Sequence, residues 1–128
     1  MSAGRLLIVD DEKAFAEFIR VVATNAGYET QVVGLTSDFE FHLGHWRPTI
    51  IFLDIIMPDR DGLELIGALE RQKFGGHLVL MSGSDARYIN MAGASARARG
   101  LQLAAVLSKP CRKQQIEDLL KRLAGDEA

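Results

Sequence analysis

Residues 50–54 read Ile50-Ile51-Phe52-Leu53-Asp54, four large apolar side chains in a row closed by an acid. A strand with one wet face alternates apolar and polar residues. A short unbroken apolar run marks a strand covered on both faces, as inside a parallel sheet. Similar runs stand at residues 6–9, 30–33, 78–81 and 103–107. The run at 30–33 is more polar and suits an edge. Helical patterns fill the gaps. Phe15, Phe18, Ile19, Val22 and Ala26 share a face ahead of Gly27, a C-terminal stop. Ser37 with Glu40 forms a capping box before Phe39, Leu43 and Trp46. Leu65, Ile66 and Leu69 mark a third helix, entered through Asp61-Gly62 and closing near Gly75-Gly76. Residues from about 85 to 99 form an Ala-rich fourth. Ile116, Leu119, Leu120 and Leu123 stripe a fifth. The alternation predicts an α/β fold, a three-layer doubly wound (βα)5 with a parallel five-stranded sheet and right-handed crossovers.

Composition agrees with one such domain. The chain has 128 residues, 48% hydrophobic and 25% charged. Residues 1–124 read as the domain and 125–128 as a frayed tail. Fifteen basic against 17 acidic side chains give a net charge of −2. Such balance offers no general attraction to nucleic acid or an anionic membrane. One cysteine excludes an intrachain disulfide and suits a reducing compartment. No run approaches the ~18 apolar residues of a membrane span, and the start lacks a signal-peptide pattern. The expected location is the cytoplasm.

Polar residues gather where the strands end. Asp10 and Asp11 follow the first strand, Asp54 the third, Ser82 the fourth and Lys109 the fifth. In open α/β sheets, ligands bind at the carboxyl ends of strands where the order reverses. If Asp11 and Asp54 share a ligand, strands 1 and 3 are neighbours and the order is 2-1-3-4-5. Carboxylates brought together repel and call for a cation. Hard oxygen ligands suit Mg²⁺, which joins one or two carboxylates to a phosphate. Lys109 and Ser82 add a positive charge and a hydroxyl donor, and Asp54 can serve as nucleophile toward phosphorus.

The set Val9-Asp10-Asp11-Glu12, Leu53-Asp54-Ile55-Ile56-Met57-Pro58-Asp59-Arg60-Asp61-Gly62, Met81-Ser82-Gly83 and Leu107-Ser108-Lys109-Pro110 resembles the receiver domain of bacterial two-component response regulators, chemotaxis receivers included. The likeness covers essentially the whole chain. It implies the flavodoxin-like strand order 2-1-3-4-5. It implies that Asp54 accepts a phosphoryl group from a sensor histidine kinase or a phosphotransfer protein. Asp11, Asp54 and the backbone carbonyl of Ile56 would hold Mg²⁺, with Asp10 holding a metal-bound water. Ser82 and Lys109 would bind phosphate oxygens, and the Lys109-Pro110 peptide would be cis. The protein would catalyse only its own phosphorylation and dephosphorylation. A face around the fourth helix, fifth strand and fifth helix would then change shape for a downstream protein or output domain. Direct contact with nucleic acid or membrane is not implied.

Three departures stand out. The family carries Tyr or Phe three residues before the lysine, where this chain has Val106. Tyr88, early in the fourth helix, is either a substitute or a packing residue. The stretch between Ser82 and Lys109 is long and rich in small residues, with Gly93 inside a helix at about 1 kcal/mol relative to Ala. It resembles receivers joined to cyclic-di-GMP phosphodiesterase domains. It reads either as a weakly held moving part or as a longer loop. Cys111 stands where Phe is usual and reads as a small packing residue. His42 and His45 read as a surface pair rather than a chelate, for want of a third ligand.

Other functions fit less well. A haloacid-dehalogenase-type phosphatase needs two Asp one residue apart, and position 12 is Glu. A flavodoxin-type electron carrier needs a hydroxyl-rich phosphate loop where Asp10-Asp11 stands. A receiver-fold docking module that acts without phosphorylation is the remaining rival. The sequence leaves open whether the chain acts alone or is the receiver of a longer regulator.

Overall fold

The computed structural model describes residues 3–34, 39–58, 61–83 and 86–126. The cap expected at Ser37, the loop residue Asp59 and the helix start at Asp85 lie outside them, as do Glu127 and Ala128. Five strands alternate with five helices: β1 Arg5–Val9, α1 Lys13–Asn25, β2 Glu29–Val33, α2 Phe39–His45, β3 Ile50–Asp54, α3 Gly62–Arg71, β4 His77–Ser82, α4 Ala86–Ala98, β5 Gln102–Ser108 and α5 Lys113–Asp126. All strand pairs are parallel and the order is β2-β1-β3-β4-β5. α5 runs through Gly125 to Asp126, past the boundary expected at 124.

Period-two alternation sorts each strand between two cores. Leu7, Val9, Ile51, Leu53, Leu78 and Leu80 face α2, α3 and α4, meeting Phe39, Leu43, Leu65, Ile66, Leu69, Ala92 and Ala96. Leu6, Ile8, Ile50, Phe52, Val79 and Met81 face α1 and α5, meeting Ile19, Val22, Ile116, Leu120 and Leu123. This is why the apolar runs are unbroken: β1, β3 and β4 are covered on both faces.

β5 corrects one expectation. Its apolar sequence predicted the same double burial, yet it forms the far edge of the sheet. Leu103, Ala104 and Ala105 are only half-buried and Val106 is 43% exposed. The order 2-1-3-4-5 leaves β5 one strand neighbour, and its small alanines need little cover. α3 is also shorter than expected. It stops at Arg71, and Lys73 takes a left-handed backbone (φ 55°) before Phe74.

The register aligns the carboxyl ends of the strands. Val9 pairs with Val33 and Leu53, Asp54 with Met81, and Ser82 with Ser108. Backbone bonds continue it one residue further. Asp10 N donates to Val33 O (3.1 Å), Ile55 N to Met81 O (3.1 Å) and Lys109 N to Ser82 O (2.9 Å). The chemistry-bearing residues are thus delivered to one end of the sheet by its own hydrogen bonds.

Candidate functional site

Asp10, Asp54 and Ser82 are the buried polar residues of the described chain, each at most 5% exposed. They sit at the ends of β1, β3 and β4. Burying carboxylates is unfavourable unless they are paired. Lys109 supplies the pairing. Its Nζ lies 2.8 Å from Asp10 Oδ2, 2.9 Å from Asp54 Oδ2 and 2.9 Å from Glu12 Oε1. The first contact is an ion pair without hydrogen-bond alignment, so Asp10 Oδ2 is buried with no aligned donor. The other carboxylate oxygens are held by backbone. Glu12 N donates to Asp10 Oδ1 (2.9 Å), and Ile56 N donates to Asp54 Oδ1 (3.0 Å). Lys109 also lies over the Phe15 ring, 4.9 Å from its centroid. The Lys109-Pro110 peptide is cis, as the resemblance implied.

Electrostatics follow from burial. Desolvation lifts the Asp10 carboxyl above its ordinary value against the lysine and the Glu12 amide, and the Asp54 charge adds to the lift. Burial alone would lower the Lys109 ammonium. Its ion pairs with Asp10, Asp54 and Glu12 outweigh that and hold it above its ordinary value. The lysine is therefore a permanent cation at neutral pH.

Oxygens of Asp10, Glu12 and Asp54 lie within 4.8 Å of one another, an arrangement that could hold a metal ion. Ligand oxygens around Mg²⁺ sit at about 2.1 Å from the ion, hence ~3–4 Å apart, so modest closure suffices. A buried oxygen of Asp10 lacking an aligned donor suits such a cation. Asp11 does not join this trio. It is exposed and lines a groove of about 560 Å³ beside α1 and β2, together with Asp10, Lys13, Glu17 and Arg20. Glu12, not singled out from the sequence, takes the third place. Its spacing was the available signal, since residues two apart lie on one side of an extended chain. Ile56 is half-exposed, and its amide already serves Asp54. Ser82 is buried within the site and its carbonyl accepts from Lys109 N.

The remaining expectations resolve locally. His45 stacks on Phe41 at 4.2 Å and bonds its carbonyl through Nδ1, which accounts for one member of the histidine pair. Cys111 packs against the α1/α5 core, and burial pushes its thiol up, away from the reactive thiolate. Gly93 is buried, and a Cβ there would stand 3.4 Å from Leu103 Cδ2.

The family model of the response regulator receiver domain matches residues 6–121. The chain belongs to this family. Among curated relatives, the probable transcriptional regulatory protein TcrX of Mycobacterium tuberculosis is 29% identical over 71% of this chain and 39% of its own length. The DNA-binding response regulator MtrA of Mycolicibacterium smegmatis is 30% identical over 61% of this chain and 34% of its own. This chain thus spans well under half of these relatives. Among solved structures, the response regulator receiver domain from Bermanella marisrubri is 26% identical with a TM-score of 0.79, covering 96% of this chain and 98% of that one. A response regulator from Colwellia psychrerythraea has the same identity and TM-score, covering 98% and 99%. Receiver domains are the signalling modules of two-component systems. No helix among the described residues is long and apolar enough to cross a membrane.

Proposed function

We propose that this receiver takes a phosphoryl group onto Asp54 and that Mg²⁺ is required. The observation that carries this reading is the setting of Asp54. It is a buried carboxylate with Oδ1 held by the Ile56 amide and Oδ2 on Lys109, inside a carboxylate trio. An Asp54 oxygen forms the new bond to phosphorus. The bond from phosphorus to the donor, a phosphohistidine nitrogen or the acyl oxygen of acetyl phosphate, breaks with its electron pair. Lys109 compensates the charge that builds on the transferring oxygens, and Ser82 donates to one of them.

Asp10, Glu12 and Asp54 can hold the cation, and Asp11 and the Ile56 carbonyl are the further ligands the resemblance implies. Bound Mg²⁺ would supply charge neutralisation at the phosphoryl oxygens. The donor in the cell is a histidine kinase or phosphotransfer protein. The α4, β5 and α5 surface is the output face toward a downstream protein or domain, and the chain returns to its ground state by hydrolysing its own acyl phosphate.

The test is the intact mass after incubation with acetyl phosphate, with and without Mg²⁺. A single phosphoryl adduct that requires both Mg²⁺ and Asp54, and is absent in Asp54→Asn, supports the reading. An unmodified chain under conditions where Mg²⁺ binds favours a docking module instead.

A further inference from the structure

Tyr88 lies in the first turn of α4, and its half-buried ring packs against the core shared by α2, α3 and α4. Its hydroxyl donates to Asp61 Oδ1, 27 residues away in sequence. The same oxygen accepts from Leu63 N (2.8 Å) and caps α3. Asp61 is in turn bridged, backbone to backbone and antiparallel, to Ile56. Ile56 N holds Asp54 Oδ1 at 3.0 Å, and Gly62 N holds Ile55 O at 3.1 Å. A chain of direct contacts therefore runs Asp54, Ile56, Asp61, Tyr88 and ends on α4.

We propose that the Tyr88–Asp61 contact couples α4 to the state of Asp54 through the loop between β3 and α3, by a route that does not pass through β5. The proposal rests on the reading of Asp54 as phosphoacceptor. Tyr88 is a positioning residue and touches no reacting atom. The route has a physical driver. A phosphoryl group adds roughly −1.5 to −2 charge and new acceptor oxygens to the carboxylate that the Ile56 amide holds. Any re-aiming of that amide moves its bridge partner Asp61, and Asp61 carries the Tyr88 hydroxyl. The hydroxyl is a durable donor, since burial together with the Asp61 bond pushes its pKa up to about 12. Val106 on β5 has no polar group to take part and is 43% exposed.

The experiment compares amide hydrogen exchange over residues 86–98 before and after adding Mg²⁺ and beryllofluoride, in the full chain. The intact-mass assay with acetyl phosphate runs alongside. In wild type the exchange of α4 changes. In Tyr88→Phe the phosphoryl adduct forms to the same extent, while the α4 change falls at least about twofold, the scale on which coupled contacts act. Asp61→Asn keeps an acceptor oxygen and retains the response, whereas Asp61→Ala loses it. A purely packing role for Tyr88 would leave Tyr88→Phe with the full wild-type response, and that result overturns the proposal. So does a wild type whose α4 does not respond despite taking the adduct. A wild type that takes no adduct fails at Asp54, and the mass readout separates that failure from the failure of the coupling contact.

Discussion

At the scale of single residues, the site is a negotiation between one lysine and three acids. Asp10 has the most to lose. Its folded-state pKa is raised by burial, so the folded chain holds that proton more tightly than the unfolded chain. The sign follows from linkage. Stability from this group is full below the ordinary carboxylate value, and it declines as pH rises toward the raised folded value. Asp10→Asn removes the penalty. Without divalent cation, the variant should be more stable than wild type at pH 7, and the gap should close in acid. Denaturant midpoints at the two pH values check this; a variant less stable at pH 7 contradicts it. The sequence showed Asp10, Asp11, Asp54, Ser82 and Lys109 as a set because each stands at the end of a strand. It did not show Glu12, nor that Asp11 would face outward, because strand-end motifs fix which residues arrive but not where each side chain turns.

At the scale of elements, two buried glycines behave oppositely. Gly62 opens α3 with its backbone against the end of β3. A Cβ there would lie 2.5 Å from Ile55 O and 2.7 Å from Ile55 Cα, both backbone and unable to yield. Gly62→Ala should therefore destabilise by about 1–3 kcal/mol, as overpacking does. A Cβ at Gly93 in α4 would meet only the ends of flexible side chains, Leu103 Cδ2 at 3.4 Å and an Arg97 guanidinium nitrogen at 3.6 Å. Gly93→Ala gains helix propensity of up to ~1 kcal/mol and should be neutral or stabilising. Thermal midpoints of the two variants decide it, and equal losses would overturn the packing argument. Strand bounds were legible to within a residue or so, because buried runs end sharply. The edge place of β5 followed from the expected order, but its half-exposed face did not, because its leucines and alanines read as doubly buried. The fourth helix read as weakly held, since small residues bury little area. The structure shows what else they do: Ala92, Gly93 and Ala96 are all buried, so α4 approaches β5 closely.

At the scale of the whole molecule, a sheet with a core on each face delivers charge to one end. The net charge is only −2, yet three carboxylates converge there around Lys109. A cation that binds only the folded chain stabilises it by mass action, about 2.7 kcal/mol at a hundredfold excess over Kd. Mg²⁺ should raise the thermal midpoint by several degrees with a logarithmic dependence on concentration. KCl at equal ionic strength should not, and Asp10→Asn should blunt the response. A midpoint indifferent to Mg²⁺ would count against a cation site at the carboxyl end of the sheet.

If the carboxylate of Asp54 receives phosphorus, the chain carries an acyl phosphate at the end of β3. An acyl phosphate is reducible by borohydride, whereas phosphoserine and free carboxylates are not. The most direct measurement is therefore to treat the chain with acetyl phosphate and Mg²⁺, reduce it with borohydride, and read the peptide spanning β3 by mass spectrometry. The reduced residue should be Asp54, and omitting Mg²⁺ should abolish the reduction. Reduction at another carboxylate, or a phosphoryl adduct that resists borohydride, would contradict phosphoryl transfer to Asp54.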